Sequence, residues 1–380
     1  MPPRHVYVHV PFCARRCSYC DFAIAVRRVV PVDEYVGALQ RELALFVDGA
    51  GTMTPPTPWE AETLYLGGGT PSRLGGEGVA RAIAAVRAHA TLTPAAEVTI
   101  EANPDDVTAE AVDAWREAGV NRVSLGGQSF DPGVLAWMHR SHDADAIGRA
   151  AATIRDGGIT SWSLDLIFAV PDALQRDWAR DLALALALEP PHISLYGLTV
   201  ESGTPLGRWV DRGAVAEAPE ERYEREFLAA HDAMTAAGLE HYEVSNFARP
   251  GERARHNGAY WRHVAYAAFG PGAHGYDGRD RWWNVPAYAE WVRRLGRGES
   301  PREGSETLTD DNRVAERVYL GLRGDGGLDL EAGEQDVVAP WIAAGWGTLS
   351  DGRFRLTPLG WLRLDSLAAA LTDTRSRSYF

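Results

Sequence analysis

The chemistry in this chain is concentrated in one stretch, Val10-Pro11-Phe12-Cys13-Ala14-Arg15-Arg16-Cys17-Ser18-Tyr19-Cys20-Asp21-Phe22, which holds every cysteine of the 380 residues. Thiolates are soft ligands, and Cys13, Cys17 and Cys20 are close enough in sequence to converge on one iron–sulfur cluster or one zinc ion. A [4Fe–4S] cube held by three cysteines keeps one iron open to an outside ligand. A zinc site needs a fourth donor, and His9 is the nearest histidine. An odd cysteine count does not suit a disulfide framework. Met1-Pro2-Pro3-Arg4 runs straight into a strand, without a secretory leader. The expected compartment is therefore the reducing cytoplasm.

The elements that would position these residues alternate between strand and helix. His5 to Val10 reads as a β-branched strand ending at the cysteine loop, and residues 32–50 carry apolar side chains at helical spacing. The unit then recurs. Strands are predicted at 63–66, 97–100, 122–125, 163–168 and 192–196, each followed by a helical pattern. Six such units require a parallel sheet, and the expected fold is α/β, an open (β/α)6 partial barrel. Sites on such folds are built where the strands end. Gly67-Gly68-Gly69-Thr70 follows the second strand, Glu101 the third and Gln128 the fourth, with Arg140 beyond it, while Asp165 lies within the fifth. Bare glycine backbone admits a polar ligand, and the charged and amide groups offer it acceptors and counter-charges.

Composition narrows the function classes. A formal charge of −14 argues against a general nucleic-acid binder, and no apolar run reaches membrane-spanning length. The expected organisation is a barrel over residues 1–238, an extension over 239–305 and a small winged-helix-like α+β module over 306–380. In the extension, His241 to Phe247 reads as one further strand. Residues 256–283 are rich in Trp, Tyr, His and Gly without periodicity, and read as a loop able to fold over a flat ligand. The module is predicted from a helix over 308–322, a hairpin over 349–356 around Ser350-Asp351-Gly352, and a closing helix over 359–371.

The Cys-x3-Cys-x2-Cys loop after a first strand resembles the radical S-adenosylmethionine (SAM) superfamily. Tyr-Val-His-Val-Pro-Phe-Cys, Gly-Gly-Gly-Thr-Pro-Ser, Glu-Ala-Asn-Pro, Asp-Leu-Ile-Phe and His-Ile-Ser-Leu-Tyr, in that order, narrow the resemblance to the oxygen-independent coproporphyrinogen III oxidase-like family. The resemblance implies a [4Fe–4S] cluster on Cys13, Cys17 and Cys20. It also implies SAM contacts from Tyr7, Gly68, Gly69, Thr70, Glu101, Gln128, Arg140 and Asp165. Gly127, where a larger apolar residue is usual, and Met138-His139, in place of Leu-Gly, depart from the family pattern.

Within that family, the coproporphyrinogen dehydrogenases place a fourth cysteine where this chain has Phe22, and they carry an arm ahead of the first strand. The haem-chaperone branch has neither, and His256-Asn257-Gly258-Ala259-Tyr260-Trp261 matches its His-Asn-x-x-Tyr-Trp motif. The resemblance thus implies that His256, Tyr260 and Trp261 bind haem, with His256 as axial ligand or as a group positioning the macrocycle, and His274 as the nearest alternative. It implies delivery to haem-requiring respiratory or other membrane proteins, and allows a homodimer. Three readings stand against it: a coproporphyrinogen III dehydrogenase, a related radical SAM methyltransferase or cyclase, and a zinc-stabilised scaffold without catalysis.

Overall fold

The computed structural model describes residues 3–48 and 59–378, so positions 49 and 50 of the expected first helix lie outside the described residues. Its centre is a nine-stranded sheet, whose strands are numbered here in chain order. Strands β1 (His5–Val10), β2 (Trp59–Gly68), β3 (Ala90–Ala102), β4 (Arg122–Gln128), β5 (Ser161–Phe168) and β6 (His192–Gly197) lie side by side and parallel. Helices Val32–Val47, Gly75–Arg87, Ala109–Ala118, Ala144–Asp156, Trp178–Ala187 and Glu220–Ala236 alternate with them, as the periodicity predicts.

Side-chain parity divides the sheet into two chemically different faces. Val6, Val8, Leu64, Leu66, Val98, Ile100, Val123, Leu125, Leu164, Leu166, Ile193 and Leu195 pack in one apolar cluster with Leu39, Ile83, Trp115, Ile154 and Phe227 of the helices. The alternate positions are polar: His5, Tyr7 and His9 on β1, Thr63 and Tyr65 on β2, Thr99 and Glu101 on β3, Ser124 on β4, Ser163 and Asp165 on β5, Ser194 and Tyr196 on β6. A strand turns successive side chains to opposite faces, so these groups line the inner surface. The sheet is strongly curved around them. Thr63, Thr99, Ser163 and Ser194 are buried there, closed off from water by that curvature.

The extension differs from the sequence reading in three places. His241 to Phe247 is a hairpin, with β7 (Glu240–Glu243) and β8 (Asn246–Ala248) pairing antiparallel and β8 also antiparallel to β6. Val244 and Ser245 turn the chain between them, so the continuous β-like run conceals a reversal. The motif segment is a helix, Arg255–Trp261, rather than a loop. Glu97 accepts from the backbone N–H groups of Arg255 and His256 at 2.9 Å, capping its start with an acceptor from a different element. The aperiodic stretch then supplies β9 (Ala267–Phe269), which adds to the free edge of β1 in parallel. A separate antiparallel sheet follows, made by His274–Tyr276, Asp280–Asn284 and Arg302–Thr307.

A buried carboxylate ties this extension to the barrel. Glu42, on the first helix, accepts from Gly270 N at 2.8 Å, Asn284 Nδ2 at 2.6 Å and Trp291 Nε1 at 3.0 Å. The small module ends the chain. Helices Asp310–Arg323, Glu334–Ala343 and Leu364–Ser378 accompany a three-stranded sheet in which the predicted hairpin, Gly347–Ser350 with Arg353–Leu356, is joined by Leu328–Asp329.

Burial pushes the Glu42 carboxyl up to about 7, well above the ordinary value near 4.5. The native state thus holds this proton more tightly than the unfolded chain. The contribution to stability is full below about pH 4.5 and declines as pH rises through 7. In urea unfolding, Glu42→Gln is expected to flatten the loss of stability between pH 5 and pH 8. Glu42→Ala, which strands three buried donors, is expected to cost at least about 2 kcal/mol. An unchanged slope in the Gln variant would remove Glu42 as its source.

Candidate functional site

The cysteine loop leaves β1 and is fastened at several points. Phe12–Cys13 pairs with Ala25–Val26, and Ala25 N donates to Pro11 O at 2.7 Å. Ser18 N donates to Met138 O at 3.1 Å, and Leu206 N donates to Ser18 O at 2.8 Å. The middle of the loop is thus anchored through the backbone carbonyl of Met138, which any residue at that position would supply. The thiols of Cys13, Cys17 and Cys20 are free, with Cys13 the most buried. Burial raises the Cys13 thiol and pushes that of Cys20 up to about 11, so binding a metal would release their protons.

Arg140 reaches this loop from beyond β4. Its Nη1 lies 3.6 Å from Cys17 Sγ, while Nη2 donates to Asn103 Oδ1 at 2.7 Å and to Gly126 O at 2.8 Å. Its Nε and the hydroxyl of Ser18 are buried without a partner among the described residues. A fixed cation and two unspent polar groups beside three thiols suit a negatively charged thiolate-bound cluster. The zinc reading fares worse. The two ring nitrogens of His9 lie 3.1 Å from the Tyr7 hydroxyl and 2.8 Å from Ala23 O, so its imidazole already braces the loop.

The glycine loop lies against the cysteines. Gly68 has φ +114°, and a Cβ there would fall 2.5 Å from the His9 ring. A Cβ on Gly69 would fall 2.6 Å from Pro11 O and 3.0 Å from Cys13 Sγ. Thr70 Oγ1 is 3.5 Å from the same sulfur. Glu101 accepts from Gly68 N at 2.9 Å and from the Tyr65 hydroxyl at 2.8 Å, and burial pushes its carboxyl up to about 7. Asp165 points to the inner surface and not to the helix layer. Ser124 Oγ donates to it at 3.1 Å, Ser163 Oγ at 3.3 Å, and burial pushes it up to about 6.

Gln128 stands at a bulge between β4 and β5, with φ +69°, and its amide folds back to within 3.0 Å of where a Gly126 Cβ would lie. A Cβ on Gly127 would meet the terminal methyl of Leu164 at 2.8 Å, so a larger residue there would need that side chain to shift. Tyr7 stacks on Tyr65 with ring centroids 6.1 Å apart. The loop, Gly68, Gly69, Thr70, Glu101 and Arg140 therefore meet at one mouth, with Tyr7 and Asp165 deeper on the inner surface.

His256 sits elsewhere in this arrangement. It is 1% exposed, its Nδ1 lies 2.7 Å from Thr63 Oγ1 and its Nε2 lies 2.8 Å from the Tyr260 hydroxyl. Its ring stacks on Tyr65, and burial pushes it down to about 3. Trp261 packs under the Arg323 guanidinium at 4.1 Å, away from the cysteines. Tyr260 alone of the three opens onto a cleft of about 500 Å³, shared with Asp21, Phe22, Gly68, Tyr266, His274 and Trp283.

Several site residues have no role assigned from the sequence: Asn103 and Ser194, both inside motifs named above, with Tyr65, Ser124 and Ser163. The signal for all but Asn103 is parity. Counted from Glu101 and Asp165 in steps of two, each parallel strand shows a polar residue on the same face. Asn103 follows Glu101 by two and could be found the same way, but it lies past the strand end.

A Cβ on Gly69 would occupy the space between the two loops. Gly69→Ala is therefore expected to lower the iron retained per chain after anaerobic reconstitution several-fold, with the far-ultraviolet circular dichroism unchanged. Cys17→Ala is expected to abolish retention. Full iron in both variants would place the cluster elsewhere.

Comparison with known proteins agrees with this geometry. The chain matches the Radical SAM superfamily over residues 7–185 and the HemN C-terminal domain over residues 308–363. The heme chaperone HemW of Mycobacterium tuberculosis is 39% identical over 97% of this chain and 95% of the relative. That of Bacillus subtilis is 33% identical over 86% and 84%, and that of Escherichia coli K12 is 38% identical over 72% and 70%. Among solved structures, coproporphyrinogen III oxidase (HemN) of Escherichia coli superposes with a TM-score of 0.80, covering 97% of this chain and 90% of that one at 22% identity, a likeness of fold. The thiol loop, the glycine loop against it and the near end-to-end match to several such relatives together place this chain in the HemW family of radical SAM proteins.

Proposed function

We propose that this chain is a haem chaperone, which carries haem as cargo and passes it to haem-requiring membrane proteins. The observation that carries the reading is the 39% identity over 97% of the chain to a heme chaperone, joined to a roomy aromatic cleft beside the cysteine loop. A cleft of this size lies within the ordinary range for small-ligand sites. Among the described residues no helix is long and apolar enough to cross a membrane.

Cys13, Cys17 and Cys20 would hold a [4Fe–4S] cluster, and Tyr7, Gly68, Gly69, Thr70, Glu101, Gln128, Arg140 and Asp165 would form the SAM site. When bound, such a cluster supplies electrons and an open coordination position. The residues themselves do simpler things. Gly68 and Gly69 keep the backbone bare, Glu101 and Asp165 offer buried acceptors to an amine and to hydroxyls, and Arg140 fixes positive charge beside Cys17.

Burial holds Glu101 protonated in much of the population near pH 6, and a cationic amine needs it ionised. SAM is therefore expected to bind reconstituted protein roughly tenfold more tightly at pH 8 than at pH 6. Glu101→Gln is expected to weaken binding roughly tenfold and to flatten that dependence. A parent chain with no pH dependence would take Glu101 out of the site. The chaperone reading is tested by anaerobic reconstitution followed by two assays. Haem is expected to stay with the protein on desalting, and coproporphyrinogen III is expected to remain unconverted with SAM and reductant present, because Phe22 replaces the dehydrogenases' fourth cysteine. Efficient conversion would favour the enzyme instead.

A further inference from the structure

We propose that His274 is the axial ligand of the haem this protein carries, and that the cleft beside the cysteine loop is its binding site. This rests on the chaperone reading and revises the residue that the family motif suggests.

The argument begins with what an iron ligand must offer, a nitrogen lone pair that no hydrogen bond already occupies and a path for a planar macrocycle to reach it. His256 fails on both counts. Thr63 and Tyr260 engage its two nitrogens, and it is buried among Tyr7, Tyr65 and Tyr260. Ligation there would displace one of these short hydrogen bonds and open the stacked inner face. His9 also borders the cleft, but Tyr7 and Ala23 occupy its nitrogens.

His274 differs from both. It is exposed, at the first position of the strand His274–Tyr276, and its ring has no hydrogen-bond partner among the described residues. It lies nearly parallel to Trp283, with centroids 6.0 Å apart and planes inclined by 25°. Both rings line the cleft. The sheet fixes the backbone, since His274 pairs with Trp283 across the strands.

The walls suit a flat apolar ligand. Phe22 is 56% exposed on one side, although a large aromatic side chain in water is costly unless something covers it. Tyr260, Tyr266, Trp283 and Pro286 add apolar surface, and Tyr7 and Gly68 form the wall that the cleft shares with the SAM site. Asp21 and Glu303 bring negative charge to the rim, so the haem propionates are expected to face solvent. The family motif keeps a part in this arrangement. His256 holds the Tyr260 hydroxyl at 2.8 Å, and Tyr260 presents its ring to the cleft, so the motif shapes a wall without ligating iron.

The test is titration of the full chain with ferric haem, read by the Soret band and by haem retained after desalting. His274→Ala is expected to lose the histidine-ligated spectrum and at least tenfold in affinity, and added imidazole is expected to restore the spectrum. His274→Met supplies a thioether in place of the imidazole and is expected to shift the bands without unfolding an exposed position. His256→Phe, which frees the Tyr260 hydroxyl and loosens that wall, is expected to keep the histidine-ligated spectrum while binding haem less tightly. If His274→Ala and His274→Met both titrate and absorb like the parent, the assignment is overturned while the chaperone reading stands. A parent chain that retains no haem overturns the chaperone reading itself, which no result from the variants alone can do.

Discussion

The structure depends on one constraint: a parallel sheet curved enough to have an inside must find partners for most of the polar groups it turns inward. Here that inside is built from carboxyls, hydroxyls and imidazoles, removed from water by the strands that present them. Glu101 survives there because Tyr65 and Gly68 donate to it, and Asp165 because serines on its own and the neighbouring strand donate to it. Even so, both carboxyls stay well above their ordinary range, which leaves them ready to gain from a cationic or hydroxyl-rich ligand. The same desolvation that would weaken an ordinary core therefore prepares this one for binding.

The constraint also accounts for how the extension docks. Helix Arg255–Trp261 needs acceptors for its first N–H groups, and Glu97, within β3, supplies them. Strand β9 needs an edge, and β1 has one free. Glu42 then bonds the turn at Gly270, Asn284 and Trp291, so the segment that carries the cleft is held by a charge buried in the barrel's own helix layer. The cysteine loop lies between the two, braced by His9 from the barrel and faced by His274 from the extension. A cluster site and a ligand cleft thereby share a wall, although they belong to segments more than two hundred residues apart.

Much of this is legible in the chain itself. The cysteine spacing, the strand–helix alternation and the placement of Gly68, Gly69, Glu101 and Gln128 at strand ends follow from periodicity and residue type, and folding brings most of that set to one mouth. The misreadings have physical causes. His241 to Phe247 has the composition of a strand throughout, and propensity alone does not mark the reversal at Val244 and Ser245. Residues 256–283 lack periodicity because they form short elements whose hydrogen bonds go to distant partners, Glu97 and β1 among them. A helix of seven residues capped by a remote glutamate leaves little local trace.

By itself, the sequence determined the soft-ligand character of the first loop and the fold class, because thiol spacing and hydrophobic period are local properties of the chain. It also carried the polar parity of the inner face, in plain view once one face is known. Which histidine is free was decided only by the tertiary structure. His256 lies in the recognisable motif, yet folding places Thr63 and Tyr260, from two different elements, on its two nitrogens. His274 lies in an unremarkable Gly-Ala-His-Gly run, and folding leaves its ring open to the cleft beside Trp283. A lone pair is available or spent according to what approaches it in space, and spacing along the chain does not encode that approach.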